Sequence, residues 1–253
     1  MTYLKYRDFG QFGTWAAHQL LPKPEWDAYL ANECAADCPP EDPTCRPNAT
    51  CAALEARFSD YVAAADPYAL DFPVCADPSR AAGRRERHHV LRMAASIRGD
   101  AFRAYEPCSS NYAADYLNDA AVRAALHVED AAPRWEECSD AVSSAYNFTD
   151  AAQPMMPVYV DIIRRTPRVK ILVYSGDDDS VCATLGSQQW IWDLGFKVVD
   201  AWKPWLLDGQ LGGYRVSFDG FEFKTIHGAG HMCPATQPAR TFDVLRTFLS
   251  ESP

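Results

Sequence analysis

The spacing of apolar residues changes near residue 169, and the change splits the chain into two kinds of segment. Before it, apolar positions recur with a helical period. WAAHQLLPKPEWDAYLANEC (15–34) is punctuated by Pro-Lys-Pro and then runs helically through Trp26, Tyr29 and Leu30, and CAALEARFSDYVAAA (51–65) repeats the period. Between them, CAADCPPEDPTCRPNATC (34–51) reads as a cross-linked loop. Residues 83–100, GRRERHHVLRMAASIRGD, form a basic stretch read as a solvated face, with a processing site in an exposed loop as the sharper alternative. In SSNYAADYLNDAAVRAALHV (109–128), Tyr112, Tyr116, Leu117, Val122, Ala125 and Leu126 keep helical spacing; Asp119 is placed to cap the second half, and His127 is expected to be structural. PMMPVYVDIIRRTP (154–167) reads as a helix that stops before Pro167.

After residue 169 the rhythm becomes that of a sheet. VKILVYSG (169–176) is a short continuous apolar run between turn residues and predicts a parallel strand buried on both faces. ATLGSQQWIWDLG (183–195) has a helical period ending at Gly195, and FKVVDAW (196–202) returns to strand. YRVSFDGFEFKTIHG (214–228) reads as a hairpin turning at Asp219-Gly220, and QPARTFDVLRTFLS (237–250) closes the chain as an amphipathic helix. Strand, acidic turn, helix, strands, histidine turn and helix make the C-terminal half of an α/β sheet whose site lies at the carboxyl ends of the strands.

Charge and length narrow the partners. A formal charge of −10 over 253 residues, with no basic stripe to offset it, repels nucleic acid and anionic membranes. No apolar run approaches the ~20 residues of a membrane helix. The start, MTYLKYRDFGQFG, lacks the apolar region and cleavage site of a signal peptide, which on its own predicts a cytosolic protein. The cysteines point the other way. Cys34, Cys38, Cys45 and Cys51 crowd one Pro-rich loop, with Cys75, Cys108, Cys138, Cys182 and Cys233 following. Asn48-Ala49-Thr50 and Asn147-Phe148-Thr149 are N-glycosylation sequons. Together these favour the oxidising secretory route over a zinc site, whose tight Cys-x2-Cys pairs are missing.

The candidate chemistry sits on two turns. In YSGDDDSV (174–181), three carboxylates follow a strand, and in HGAGHMCP (227–234), two histidines follow another. Acids at a helix start are ordinary on their own account. In order along the chain, they supply the acid and base of a Ser…Asp…His site, in which the histidine takes the nucleophile's proton and the buried acid holds its tautomer. A metal site from Asp177, Asp178, His227 and His231 is the poorer alternative, since no short ligand pair lies on one helix.

Residues 171–240 resemble the C-terminal signature of the serine carboxypeptidase family of α/β-hydrolases. The family's Gly-Asp-x-Asp turn corresponds to Gly176-Asp177-Asp178-Asp179, its Trp-x-Pro-Trp and Gly-Gly-Tyr segment to WKPWLLDGQLGGY (202–214), and its Gly-Ala-Gly-His-x-x-Pro motif to Gly228–Pro234. Upstream, EPCSSNYAADYLNDAAVRAALHV resembles a further family segment, and residues 9–34 resemble the start of its helical lid. The resemblance implies a partial α/β-hydrolase fold, with a mostly helical, disulfide-rich lid region over 1–150 and the C-terminal part of the core over 151–253. It makes Asp179 the triad acid and His231 the base, and gives His227 no catalytic role. Cys182 and Gly186 match a variant of the acid turn in which Ala183 replaces a frequent Asn, and Cys233 is expected to be a buried small hydrophobe.

The resemblance also defines a gap. None of the thirteen glycines belongs to a Gly-x-Ser-x-Gly nucleophile elbow, which the family places upstream of the lid, near whose start this sequence begins. The chain is therefore expected to be a fragment, a truncated gene model or one piece of a two-piece enzyme, inactive alone. The full form would release C-terminal amino acids from peptides without a cofactor, in a vacuole, a lysosome or outside the cell. The partners implied are a peptide substrate and the nucleophile half; a homodimer is left open. The resemblance pairs Cys75 with Cys108, leaves Cys138 unpaired and expects bonds within Cys34, Cys38, Cys45 and Cys51. Acyl transfer to an alcohol or amine, and a non-catalytic binding remnant, are the alternatives.

Overall fold

The computed structural model describes residues 7–36, 48–75, 105, 107, 109–146, 155–165 and 169–250. The basic stretch 83–100, the sequon at Asn147 and Cys38, Cys45 and Cys108 fall outside them. The N-terminal helices are α1 (Arg7–Ala17), α2 (Lys23–Ala31) and α3 (Ala49–Val62). Their apolar faces close on one another through Phe12, Trp15, Tyr29, Leu54, Phe58 and Val62, all at most 6% exposed. Phe12 meets Trp15, Tyr29 and Phe58 edge-on, the arrangement aromatic quadrupoles favour. The Cys34–Cys51 disulfide joins the end of this unit to α3 across 17 residues. Cys75 is also disulfide-bonded, whereas Cys138 is free and exposed, as expected.

Helices α4 (Ser109–Leu117), α5 (Ala120–Ala125), α6 (Asp140–Ala145) and α7 (Met156–Arg165) follow. Asp119 caps α5 as its position predicts, accepting from the Ala121 and Val122 amides. The sheet comprises β1 (Leu172–Gly176), β2 (Val198–Leu207), β3 (Gln210–Phe218) and β4 (Phe221–Ile226), in the order β1-β4-β3-β2. Helix α8 (Thr184–Asp193) links β1 to β2; a short α9 (Cys233–Thr236) and α10 (Pro238–Ser250) follow β4. β1 and β4 run parallel, and the other two pairings are antiparallel.

Asp219-Gly220 is the predicted hairpin turn, with Phe218 opposite Phe221. A second two-residue turn, Asp208-Gly209, joins β2 to β3; both residues have positive φ, at 50° and 75°, the conformation that favours Asp-Gly. The expectation that β1 is buried on both faces does not hold. β1 forms the sheet edge among the described residues, and Tyr174 is 40% exposed. β4 takes the doubly buried place: Phe221, Phe223, Lys224, Thr225 and Ile226 are all at most 6% exposed. Phe221 and Phe223 enter one core with Trp190, Ile191 and Val216, while Ile226 enters another with Ala229, Cys233 and Val244. The buried Lys224 of β4 is offset by Glu222 at 3.4 Å.

Candidate active site

The two strands that run parallel, β1 and β4, both end at the site. In a parallel pair the carboxyl ends lie side by side, so the turn after β1 (177–181) and the turn after β4 (227–232) are in contact. Gly176 stands at the closest approach: a Cβ there would lie 2.2 Å from the Ala229 carbonyl oxygen. The Asp177 amide donates to the Ile226 carbonyl at 3.2 Å, and the Asp178 amide to that of Ala229 at 2.9 Å.

Asp179 and His231 meet across this junction, with Oδ2 2.8 Å from Nδ1. The acid side chain is 4% exposed and the base 40%, so the carboxylate is withdrawn while the imidazole reaches the surface. Oδ1 of Asp179 accepts from the Val181 and Cys182 amides at 2.8 and 3.2 Å, which fixes the carboxylate and leaves Oδ2 for the ring. Engagement of Nδ1 leaves Nε2 as the proton-accepting nitrogen, the arrangement a general base requires.

Asp177 and His227 make a second pair at the same distance, 2.8 Å, but more openly, with 37% and 52% of their side chains exposed. The other oxygen of Asp177 accepts from the Gly228 amide at 2.6 Å. The four residues of the metal alternative are thus drawn apart: Asp177 pairs with His227, His231 pairs with Asp179 instead, and Asp178 is turned into the interior. Two other sets bring ligand atoms within 4.8 Å of one another: Asp179, Cys182 and His231, and His18, Asp71 and Asp178.

Sequence reasoning missed the contribution of residues 66–72. The His231 amide donates to the Tyr68 carbonyl at 2.7 Å, and the Tyr68 ring meets the imidazole edge-on at 5.2 Å between centroids. The same segment binds the acid turn. The Ser180 amide and hydroxyl both donate to the Pro67 carbonyl, and Trp15 of α1 donates its indole N–H to the Ser180 oxygen at 2.8 Å. No local pattern marks DPYALDF for this place, since its partners lie more than a hundred residues away.

Cys182 sits beside the dyad, but burial and then the Asp179 charge push its thiol up to about 11. Cys233, buried as expected, is pushed up to about 11 mainly by burial. Neither provides a thiolate near neutral pH, so neither is poised as a nucleophile.

A family model described as serine carboxypeptidase matches residues 3–251. The chain belongs to the serine carboxypeptidase family. Among curated serine carboxypeptidase relatives, it is 30% identical over 248 residues to Serine carboxypeptidase-like 22 of Arabidopsis thaliana, covering 95% of this chain and 50% of that protein. It is 34% identical over 190 residues to Serine carboxypeptidase-like 26 of the same plant, covering 74% of this chain and 40% of that one. The crystal structure of Kex1(delta)p, a prohormone-processing carboxypeptidase from Saccharomyces cerevisiae, superposes with a TM-score of 0.66 at 14% identity, over 97% of this chain and 52% of that one. The fold is therefore that of the serine carboxypeptidases, and the chain spans about half the length of these relatives.

Proposed function

We propose that Asp179 and His231 are the acid and base of a serine-type carboxypeptidase, and that the nucleophile comes from a part of the enzyme outside these residues. The observation that carries this reading is the buried-acid, exposed-base pair at the ends of neighbouring parallel strands, 2.8 Å apart. Such a pair orients and charges an imidazole, but without a hydroxyl in a strained elbow and an oxyanion hole it has nothing to activate. In the assembled enzyme, His231 takes the serine proton as the hydroxyl attacks the last peptide bond and then gives it to the departing amino acid. Water next attacks the acyl-enzyme with His231 again as base. The disulfides, together with the exposed Asn48 in its sequon, support a secretory-route location and glycosylation.

Turnover of a blocked dipeptide tests the reading. The 253-residue chain alone is expected to release no C-terminal amino acid, and co-expression with a Ser-elbow half is expected to restore release that His231→Ala abolishes. Hydrolysis by the chain alone that His231→Ala abolishes would refute the need for a second part. Restored hydrolysis that survives His231→Ala would refute the role of the base.

A further inference from the structure

Asp178, the middle acid of the turn, belongs to neither Asp–His pair. Its carboxyl is 2% exposed, and both oxygens lie 3.1 Å from a single donor, the Asp71 amide. Its own carbonyl accepts from the Leu70 amide at 3.2 Å, and its amide donates to the Ala229 carbonyl. Asp178 therefore fastens residues 70–71 on one side and the histidine turn on the other. Tyr68, two residues before Leu70, is the residue that receives the His231 amide and packs on its ring.

The titratable groups around this carboxyl are mostly of its own sign. Asp177 and Asp179 flank it in the chain, Asp71 lies across from it, and the Tyr105 phenol is near enough to feel its charge. Among the described residues the basic neighbour is His18, just past α1, whose Nδ1 is 3.9 Å from both Asp178 Oδ1 and Asp71 Oδ1. We propose that Asp178 is a positioning residue whose protonation sets the seat of residues 66–72 against His231, so that this buried carboxyl tunes the dyad with pH. This rests on the reading of His231 as the base.

Burial, the largest cause, pushes the Asp178 carboxyl from 3.8 up to about 7; the Asp71 amide opposes this, and the charges of Asp71, Asp177 and Asp179 add to it. A carboxyl raised in the folded state holds its proton more tightly there than in the unfolded chain. Its stabilising effect is complete below the unfolded value and is lost as pH rises through about 7. In the acidic range the neutral carboxyl sits in its pocket without charge repulsion. Above it, a buried anion faces three other carboxylates, and the hold on residues 70–71 changes.

Nuclear magnetic resonance of the 253-residue chain between pH 5 and 9 tests this directly. The Leu70 and Asp71 amides and the Tyr68 ring protons are expected to share a step with a midpoint of about 7. Asp178→Asn keeps an oxygen for the Asp71 amide but cannot titrate, and it should remove that step from the two amides. Equal steps in both proteins would overturn the proposal. If Asp178→Asn does not fold, Asp71→Asn serves: it keeps the backbone amide but removes a neighbouring charge that raises the Asp178 carboxyl, so the midpoint should fall, and an unmoved midpoint is the refuting result. The readout needs no hydrolysis, so a failure here is distinct from a failure of the carboxypeptidase reading.

Discussion

Two Asp–His pairs bridge the same two turns at the same distance of 2.8 Å, yet only one, the proposed dyad, has a buried acid. Asp179 is withdrawn, held by two backbone amides, and presents its remaining oxygen to an imidazole that a tyrosine also braces. Asp177 and His227 stand largely in solvent, where an ion pair is weak, and the firm contact of Asp177 is with the Gly228 amide. Distance alone cannot tell them apart. Burial of the acid and the number of bonds that orient it can, because an oriented carboxylate in a dry site stabilises the imidazolium far more than a solvated one does.

The largest separation between the pairs should be in catalysis. In the assembled enzyme, Asp179→Asn is expected to lower kcat by about 10⁴-fold and His231→Ala by about 10⁶-fold, the scales of removing a triad acid and a triad base. His227→Ala should change it about fivefold at most, equivalent to ~1 kcal/mol. Comparable losses from the two histidine variants, measured by dipeptide turnover, would show that the second pair works in the chemistry. Next in size is the junction that both pairs share. Gly176→Ala places a methyl group against the Ala229 carbonyl and must push the two turns apart. Overpacking against backbone should cost about 3 kcal/mol, roughly 6–12 °C in melting temperature for a chain of this size. Thermal denaturation within about 2 °C of the parent would mean that the turns are not rigidly joined.

Much of this was legible in the sequence. Helical spacing located α3, α7, α8 and α10, Asp119 announced its own cap, and the Asp219-Gly220 turn fixed the β3–β4 hairpin. These are local properties, carried by residues a few positions apart. The family resemblance chose Asp179 from three consecutive acids and His231 from two histidines, and the structure brings those two together. The fates of the three acids could not be read from composition. One turn sends Asp177 to His227, Asp178 inward to the Asp71 amide and Asp179 to His231, and only the backbone path decides which carboxylate faces which way. The partial exposure of β1, where full burial is expected, has a related cause. A continuous apolar run is compatible with burial on both faces, but strand order depends on partners elsewhere in the chain. Asp208-Gly209, inside the WKPWLLDGQLGGY motif, carries the same hairpin signal as Asp219-Gly220.

The smallest effect is also the most specific to the difference in environment. Mobile ions shorten electrostatic reach from about 10 Å at 0.1 M salt to about 3 Å at 1 M, but only where solvent reaches the charges. The Asp177–His227 pair meets that condition at both ends, whereas in the Asp179–His231 pair the acid does not. His227→Ala should therefore cost up to ~1 kcal/mol of folding stability in dilute buffer and close to nothing in 1 M sodium chloride. His231→Ala leaves the buried Asp179 carboxylate without its imidazole, and the ~1–3 kcal/mol lost with a buried partner should persist at both salt concentrations. Urea denaturation of the two variants at the two salt levels reads both quantities. A salt-independent loss for His227→Ala would place its pair in the same dry environment as the dyad and remove the distinction drawn between them.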